Sequence, residues 1–161
     1  DNDSPNALVM QTSIGQGNTL VSPMHMALIT STIANNGVLM KPYLIDKVVN
    51  ANGDTIKTTE PTTYKRLMTS NEAAILGKLM KGVVENGTAS ALNGRGYTVA
   101  GKTGSAEYDE NGSSHSWFIG YSNVDDPDLV VAVIVEGGGN GSEAAVPIAA
   151  DLFDAYHFDQ Q

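Results

Sequence analysis

The residue types best suited to chemistry in this sequence occur consecutively, at Lys102-Thr103-Gly104-Ser105. The alternating residues before them predict that they lie in a β-strand. An ammonium group beside a hydroxyl can hold a substrate carboxylate, and a glycine leaves room for the substrate to lie against the strand. The backbone N–H of Ser105 could help to stabilise an oxyanion during acyl transfer. We therefore take all four as candidate catalytic residues, and Lys102, Thr103 and Ser105 also as candidate substrate-binding residues.

The nucleophile that acyl transfer would need is not evident in the sequence. A serine is activated when a lysine lies one helical turn away, in a Ser-x-x-Lys pattern. No serine in the chain has a lysine at that spacing. A Ser-x-Asn pattern occurs only at Ser4-Pro5-Asn6, in a polar terminal segment, and we interpret it as a chance match. We therefore expect the chain to be inactive when isolated.

A second motif overlaps the first and predicts a different function. The residues from Gly96 to Thr103 match the phosphate-binding pattern G-x-x-x-x-G-K-[ST] in full. That loop needs an apolar strand before the first glycine and a helix beginning at the lysine. Here the preceding residues 92–95 do not predict a strand, and residues 97–100 alternate as a strand does. Nucleotide binding at residues 96–103 is therefore the less favoured alternative.

Composition limits the remaining functions. The 161 residues suit one globular domain, with 41% hydrophobic and 17% charged residues. The net charge of −9, with nine scattered basic residues, argues against binding to nucleic acid. There is no cysteine, and His115 and His157 lack the spacing of metal ligands, so we predict neither a metal nor a cofactor. Because the chain begins at Asp1 with no leader sequence, we expect it to be part of a longer polypeptide.

The first half of the chain predicts two helices and a hairpin. Ser22 is a predicted N-cap with Pro23 at the first helical position, and this helix should end at Asn35-Asn36-Gly37. The pair Asn52-Gly53 predicts a hairpin closed by a type I′ turn. A capping box from Thr69 to Glu72 begins a second helix that ends at Asn86-Gly87, with apolar positions at Ile75, Leu76, Leu79, Met80, Val83 and Val84.

The second half predicts a three-stranded antiparallel meander over residues 97–108, 116–122 and 129–136. Trp117 could line the substrate cleft beside residues 102–105, as a candidate substrate-binding residue, or pack on the sheet. Residues 129–135 are apolar without alternation, which predicts a strand buried on both faces. A last amphipathic helix should pack through Ala149, Leu152, Phe153 and Tyr156. Because one helix cannot cover both faces of the third strand, we expect the fragment to self-associate.

Five segments, in this order along the chain, resemble the C-terminal part of the transpeptidase domain of class B penicillin-binding proteins. They are residues 14–17 followed by 20–27, then 33–37, 85–89, 99–107 and 115–121. The fourth contains Lys-Thr-Gly, one of three motifs that this family shares with serine β-lactamases. Ser105 stands where a threonine is common in the family, and the hydroxyl is kept. The Ser-x-x-Lys and Ser-x-Asn motifs of the family lie upstream of the region that this chain resembles.

The resemblance implies an α+β chain with part of the serine β-lactamase and penicillin-binding-protein fold. We expect a three-stranded antiparallel sheet unit with a C-terminal helix, together with helices and a hairpin of the helical subdomain. Residues 1–161 would form the C-terminal part of one transpeptidase domain, without the N-terminal part that carries the nucleophile. Lys102 would bind an anion at the cleft, and Thr103 and Ser105 would face the same cleft.

The implied parent is a serine-type D,D-transpeptidase that cross-links D-Ala-D-Ala stem peptides of peptidoglycan through an acyl-serine. β-Lactams would acylate the same serine. The expected partners are therefore stem peptides, β-lactams and the missing N-terminal part of the polypeptide. The expected location is the extracytoplasmic face of a bacterial membrane, with an anchor outside this chain. A non-catalytic module that binds a peptide or a partner protein stays open as an alternative.

Overall fold

The computed structural model describes residues 5–108 and 111–158, which contain four α-helices, one 3-10 turn and seven strands. In chain order these are α1 Pro5–Ser13, α2 Pro23–Ala34, β1 Val38–Met40, β2 Lys47–Val49, β3 Thr55–Thr58, β4 Thr63–Arg66, α3 Ser70–Asn86, the turn Ser90–Leu92, β5 Val99–Glu107, β6 Ser114–Ser122, β7 Val130–Val135 and α4 Ala145–Phe158. The sequence did not predict α1. Ser4 of the Ser-x-Asn match lies outside the described residues.

The predicted meander is confirmed. Strands β5, β6 and β7 form one antiparallel sheet in that order. In its register Thr103 lies opposite Phe118, and Gly104 lies opposite Trp117, which in turn lies opposite Ile134. Because side chains alternate between faces, Lys102, Trp117 and Ile134 share one face of the sheet, and Phe118 lies on the other. Helix α4 packs on the Phe118 face, whereas α2 contacts the opposite side. Helix α3 contributes to both cores, through Met80 on the α2 side and Val84 on the α4 side.

The buried face of α4 differs from the predicted one. Ala149 and Phe153 are fully buried, as predicted, but Leu152 is 47% exposed and Tyr156 is 36% exposed. The other buried positions are small or β-branched: Ala145, Val146 and Ala150. These small residues let the backbone of α4 approach the sheet closely. The larger Leu152 and Tyr156 therefore lie at the edge of the interface between the helix and the sheet, partly exposed to solvent.

Strand β7 is not fully buried on both faces, and that prediction is wrong in part. Val131 and Val133 are buried under α4, whereas Val130, Ala132 and Ile134 are only partly buried. Helix α2 contacts β7 on this second face. Among the described strands β7 pairs with β6 alone, so its outer edge has no strand partner. Self-association along this edge stays a prediction.

The centre of the α4 face is organised around the ring of Phe118, which is fully buried and lies edge-on to Phe153. Gly101 and Gly120 are opposite each other in the sheet, on the same face as this ring. A Cβ at Gly101 would lie 2.4 Å from the Phe118 ring, and one at Gly120 would lie 2.7 Å from it. The two glycines therefore provide the space that the ring fills.

Both predicted helix starts are confirmed by their caps. The hydroxyl of Ser22 accepts a hydrogen bond from the His25 N–H at the start of α2. At the start of α3, Thr69 and Glu72 form the reciprocal capping box. The predicted ends are also found, at Asn35 and Gly87. The apolar face of α3 is shifted from the predicted one, since its buried residues are Ala73, Gly77, Met80 and Val84, with Ile75, Leu76 and Leu79 exposed.

The predicted hairpin forms between β2 and β3, but its turn is not of type I′. Asn50 and Asp54 close a three-residue loop through a backbone hydrogen bond of 2.9 Å from the Asn50 N–H. A type I′ turn needs positive φ at both central residues, and here Gly53 has it whereas Asn52 does not. The Asn50 side chain accepts from the N–H groups of Asn52 and Asp54, which stabilises the longer loop.

A polar cluster ties the last turns of α4 to the segment before β5. The hydroxyl of Tyr97 donates to Asp154 at 2.5 Å, and Arg95 forms an ion pair with the same carboxylate. The hydrogen bond from Tyr97, with that from Arg95, lowers the pKa of Asp154. Burial, together with Asp154, raises the pKa of Tyr97 to about 12.

No helix within the described residues is long and apolar enough to cross a lipid bilayer.

We expect Asp154→Asn to destabilise the chain at neutral pH and to be nearly without effect in acid. A lowered folded-state pKa contributes stability above the unfolded value of about 3.9, and this stability is lost as the pH falls through the folded-state pKa. The difference between the two proteins in urea unfolding should therefore shrink as the pH falls below about 4. Asp151→Asn, on the exposed side of the same helix, is the control. A difference that stays constant with pH would contradict this assignment.

Candidate active site

The candidate residues lie on the open edge of the sheet. Among the described strands β5 has only β6 as a neighbour. The ammonium of Lys102 donates to the Thr103 carbonyl at 2.7 Å, and the side-chain amide of Gln16 donates to the Ser105 carbonyl at 3.1 Å. These two carbonyls therefore point away from β6. In an antiparallel pair the N–H of a residue points to the same side as its carbonyl, which places the Ser105 N–H on the open edge as well.

Lys102 is exposed, although it lies in the middle of β5. In the part of the chain that the structure describes, no carboxylate forms an ion pair with its ammonium. The ammonium has three donors, and the carbonyl of Thr103 takes one of them. Lys102 can therefore still bind an anionic group that lies along the open edge.

Thr103 lies on the opposite face of the strand from Lys102. It is only 9% exposed, and its hydroxyl oxygen is 2.6 Å from that of Thr88, in the segment after α3. This contact fixes the rotamer of Thr103 and joins β5 to the end of α3. Because β5 is at the edge of the sheet, Thr103 still borders the same cavity as Lys102.

Ser105 also alternates away from Lys102, and its hydroxyl accepts a hydrogen bond from the Gly141 N–H at 3.4 Å. Gly141 lies in the loop between β7 and α4, close to the sheet backbone. A Cβ there would lie 2.7 Å from the Trp117 carbonyl and 2.8 Å from the Gly104 carbonyl. The absence of a side chain at Gly141 therefore lets this loop support the strand at Gly104 and Ser105.

An open cavity of about 540 Å³ runs along this edge. Trp117 lines it, together with Ile119 and Ile134 on the same sheet face. Contact of Trp117 with a ligand stays a prediction. Gly104 lies opposite Trp117 in the sheet, and a Cβ at Gly104 would lie only 3.2 Å from the Cβ of Trp117. The missing side chain of Gly104 therefore leaves space for the Trp117 side chain. The far wall contains residues that the sequence analysis did not assign to the site: Ile14, Gln16, Thr19, Leu20, Val21 and Met26.

Within that far wall, the polar side chain of Gln16 reaches β5 through its hydrogen bond to Ser105. It stands between Gly15 and Gly17, which have φ values of 82° and 84°. Positive φ is a conformation that glycine adopts readily, so the two glycines allow the tight turn that brings Gln16 against the strand. The Gly-Gln-Gly pattern was visible in the sequence, but nothing local to it indicated which strand the turn would meet.

The geometry does not support the phosphate-binding alternative. Lys102 and Thr103 lie within a nine-residue strand, whereas a phosphate loop needs a helix to begin at the lysine. The described residues also contain no group of three or more His, Asp or Glu side chains that could hold a metal ion. His115 instead stacks on Tyr108 and accepts a hydrogen bond from the Gly137 N–H.

Comparison with known families and structures gives a consistent result. The family described as the penicillin binding protein transpeptidase domain matches residues 2–154. The chain is 35% identical over 150 residues to the peptidoglycan D,D-transpeptidase PbpA of Mycolicibacterium smegmatis, covering 88% of this chain and 30% of that protein. It is 37% identical over 136 residues to penicillin-binding protein 3 of Bacillus subtilis, covering 80% of this chain and 19% of that protein.

Solved structures agree with the sequence matches. The imipenem acyl-enzyme complex of penicillin-binding protein A from M. tuberculosis superimposes with a TM-score of 0.83 at 33% identity, covering 96% of this chain and 35% of that one. The ceftriaxone acyl-enzyme complex of the same protein gives a TM-score of 0.84 at 31% identity. The chain spans about a third or less of the length of these relatives.

Proposed function

The chain belongs to the penicillin-binding protein transpeptidase domain family, and from this premise we propose that residues 1–161 form the C-terminal part of one transpeptidase domain of a serine-type peptidoglycan D,D-transpeptidase. The observation that carries the proposal is the open edge of β5. There an exposed lysine, a threonine and a free strand edge border one cavity, at the Lys-Thr-Gly motif that the family uses.

We assign each residue of this edge a role in acyl transfer. The Lys102 ammonium attracts the carboxylate of a stem peptide or of a β-lactam. Thr103 borders the same cavity from the other face of β5, where its hydroxyl contacts that of Thr88. Gly104 leaves the strand surface open to the ligand. The Ser105 N–H donates a hydrogen bond to the oxygen of the reacting carbonyl as it becomes an oxyanion. Trp117 forms the apolar wall against which the ligand packs.

The nucleophilic serine comes from a part of the polypeptide outside this sequence. Its oxygen attacks the carbonyl of the penultimate D-Ala, the peptide bond breaks, and the terminal D-Ala leaves with the proton that a base removed from the serine. An amine of a second stem peptide then attacks the acyl-serine ester, which forms the cross-link and releases the serine. With a β-lactam, the attack opens the ring and the ester persists.

The chemistry of the substrate places the reaction where peptidoglycan is assembled. We propose that the whole protein acts on the extracytoplasmic face of a bacterial membrane and is anchored by a segment outside this sequence. Its relatives include proteins named as peptidoglycan D,D-transpeptidases, which supports this location. The N-terminal part of the same polypeptide would complete the cleft opposite β5.

Incubation with a fluorescent penicillin tests the proposal. We expect one covalent adduct on the full-length protein and none on the isolated 161-residue chain, because no serine of this sequence has a lysine three residues on. Intact-mass measurement of both proteins gives the stoichiometry. An adduct on any serine of the isolated chain would show that this sequence contains a nucleophile, and a full-length protein without an adduct would refute the proposed activity.

A non-catalytic peptide-binding module is the second candidate, because the open β5 edge could also accept an extended peptide as an added strand. The two functions differ in one respect: a binding module would retain a stem peptide without forming an acyl-serine. The same mass measurement on the full-length protein therefore separates them.

A further inference from the structure

Gln16 is held against β5 by contacts at both of its ends. Its backbone N–H donates to the Gln11 carbonyl at 2.9 Å, which ties the turn to the last part of α1. Its side-chain Nε2 donates to the Ser105 carbonyl at 3.1 Å, across 89 residues of sequence. The side chain is partly buried and lines the cavity beside Lys102. A local turn and a distant strand therefore fix the position of one carboxamide group.

That carboxamide has the same hydrogen-bonding groups as a peptide bond. An extended ligand that lies along the open edge of β5 would donate a backbone N–H to an outward-facing carbonyl, as an added strand does. The Ser105 carbonyl faces outward, next to the N–H that we assign to the oxyanion. In the cavity as it stands, Gln16 already donates to this carbonyl.

We propose that Gln16 occupies the position of a ligand amide on the β5 edge, and that an acyl-peptide or an amide-bearing β-lactam displaces it on binding. Gln16 would then set the affinity of the cleft for amide-bearing ligands. This inference rests on the proposed function, since it takes the β5 edge to be the binding edge.

The balance of hydrogen bonds shows why displacement is feasible. The bond from Gln16 is exposed to solvent, so the side chain can move into water and keep its hydrogen bonds there. The Ser105 carbonyl accepts one hydrogen bond before the ligand enters, from Gln16, and one afterwards, from the ligand amide. Loss of Gln16 leaves the empty cleft without this competitor, and the ligand then gains the full hydrogen bond. We therefore expect Gln16→Ala to strengthen binding.

The experiment measures the second-order rate constant of acylation in the full-length protein. With benzylpenicillin, which carries a side-chain amide, Gln16→Ala should react about threefold to tenfold faster than the wild type, the range of one net hydrogen bond. With imipenem, which has a hydroxyethyl group in place of that amide, the rate should be unchanged. Asn18→Ala, in the same turn and outside the cavity lining, is the matched control and should behave as the wild type.

Each other outcome overturns the inference. A gain with both ligands would mean that Gln16 only blocks space, and a loss with benzylpenicillin would mean that it contacts the bound ligand. An unchanged rate in a Gln16→Ala protein whose melting curve matches the wild type would mean that the bond has no bearing on binding. A wild-type protein that is not acylated at all would refute the proposed function and this inference together.

Discussion

Replacing Lys102 with alanine in the full-length protein should slow acylation by penicillin by about 10²- to 10³-fold, the effect of removing one positioned charge-stabilising donor from an acyl-transfer site. Lys102 is exposed, and no carboxylate of the described residues forms an ion pair with it. Its loss should therefore leave folding nearly unchanged. Stopped-flow fluorescence with a labelled penicillin gives the rate, and a melting curve gives the stability.

Lys78→Ala is the control for general charge effects, because Lys78 is an exposed lysine on α3 that does not line the cavity. It should acylate as the wild type does. If Lys102→Ala also acylated at the wild-type rate, with an unchanged melting curve, Lys102 would be an ordinary solvated lysine of a strand. The assignment of the anion site would then be wrong.

The largest effect on stability is expected from Phe118→Ala. The ring is fully buried between the sheet and α4, and truncation of a buried aromatic residue costs about 3–5 kcal/mol. Gly101 and Gly120 should make the loss severe, since two residues without side chains cannot fill the cavity left by the ring. Urea unfolding of the chain, followed by circular dichroism, measures the change in the free energy of unfolding.

Phe158→Ala is the matched control, because Phe158 is 51% exposed in the last turn of α4. Its truncation removes the same number of atoms but much less buried area, and the free energy of unfolding should fall by less than half as much. Equal losses in the two variants would mean that the Phe118 ring is not the centre of this core.

The sequence predicted those elements whose signals are local. Ser22 and Thr69 mark helix starts because their hydroxyls satisfy N–H groups within three residues. The meander followed from three predicted strands with short connections. Helix α1 lacks such signals: no acidic residue stands in its first turn and no basic residue in its last. The Lys-Thr-Gly motif was found because its residues are consecutive.

The remaining features depend on which distant residues meet. Leu152 and Tyr156 are large residues with mostly apolar surface, as Phe153 is, so the sequence pattern alone does not show that they are exposed and Phe153 is buried. The close approach of α4 to the sheet decides this. The turn between β2 and β3 depends on the Asn50 side chain, which outweighed the preference of Asn-Gly for a two-residue turn. Gln16 could be placed at Ser105 only once the two segments, 89 residues apart, were folded together.

The open edge of β5 also has a consequence for solubility. An unpaired strand edge offers carbonyl and N–H groups to any other extended chain, which is a common origin of aggregation. On this edge two outward carbonyls, those of Thr103 and Ser105, already accept hydrogen bonds from the protein's own side chains, and one of those donors is a charged lysine. A second copy of the chain would have to remove both donors before it could pair there. A variant with a more accessible cleft should therefore also be the one more prone to form aggregates along β5.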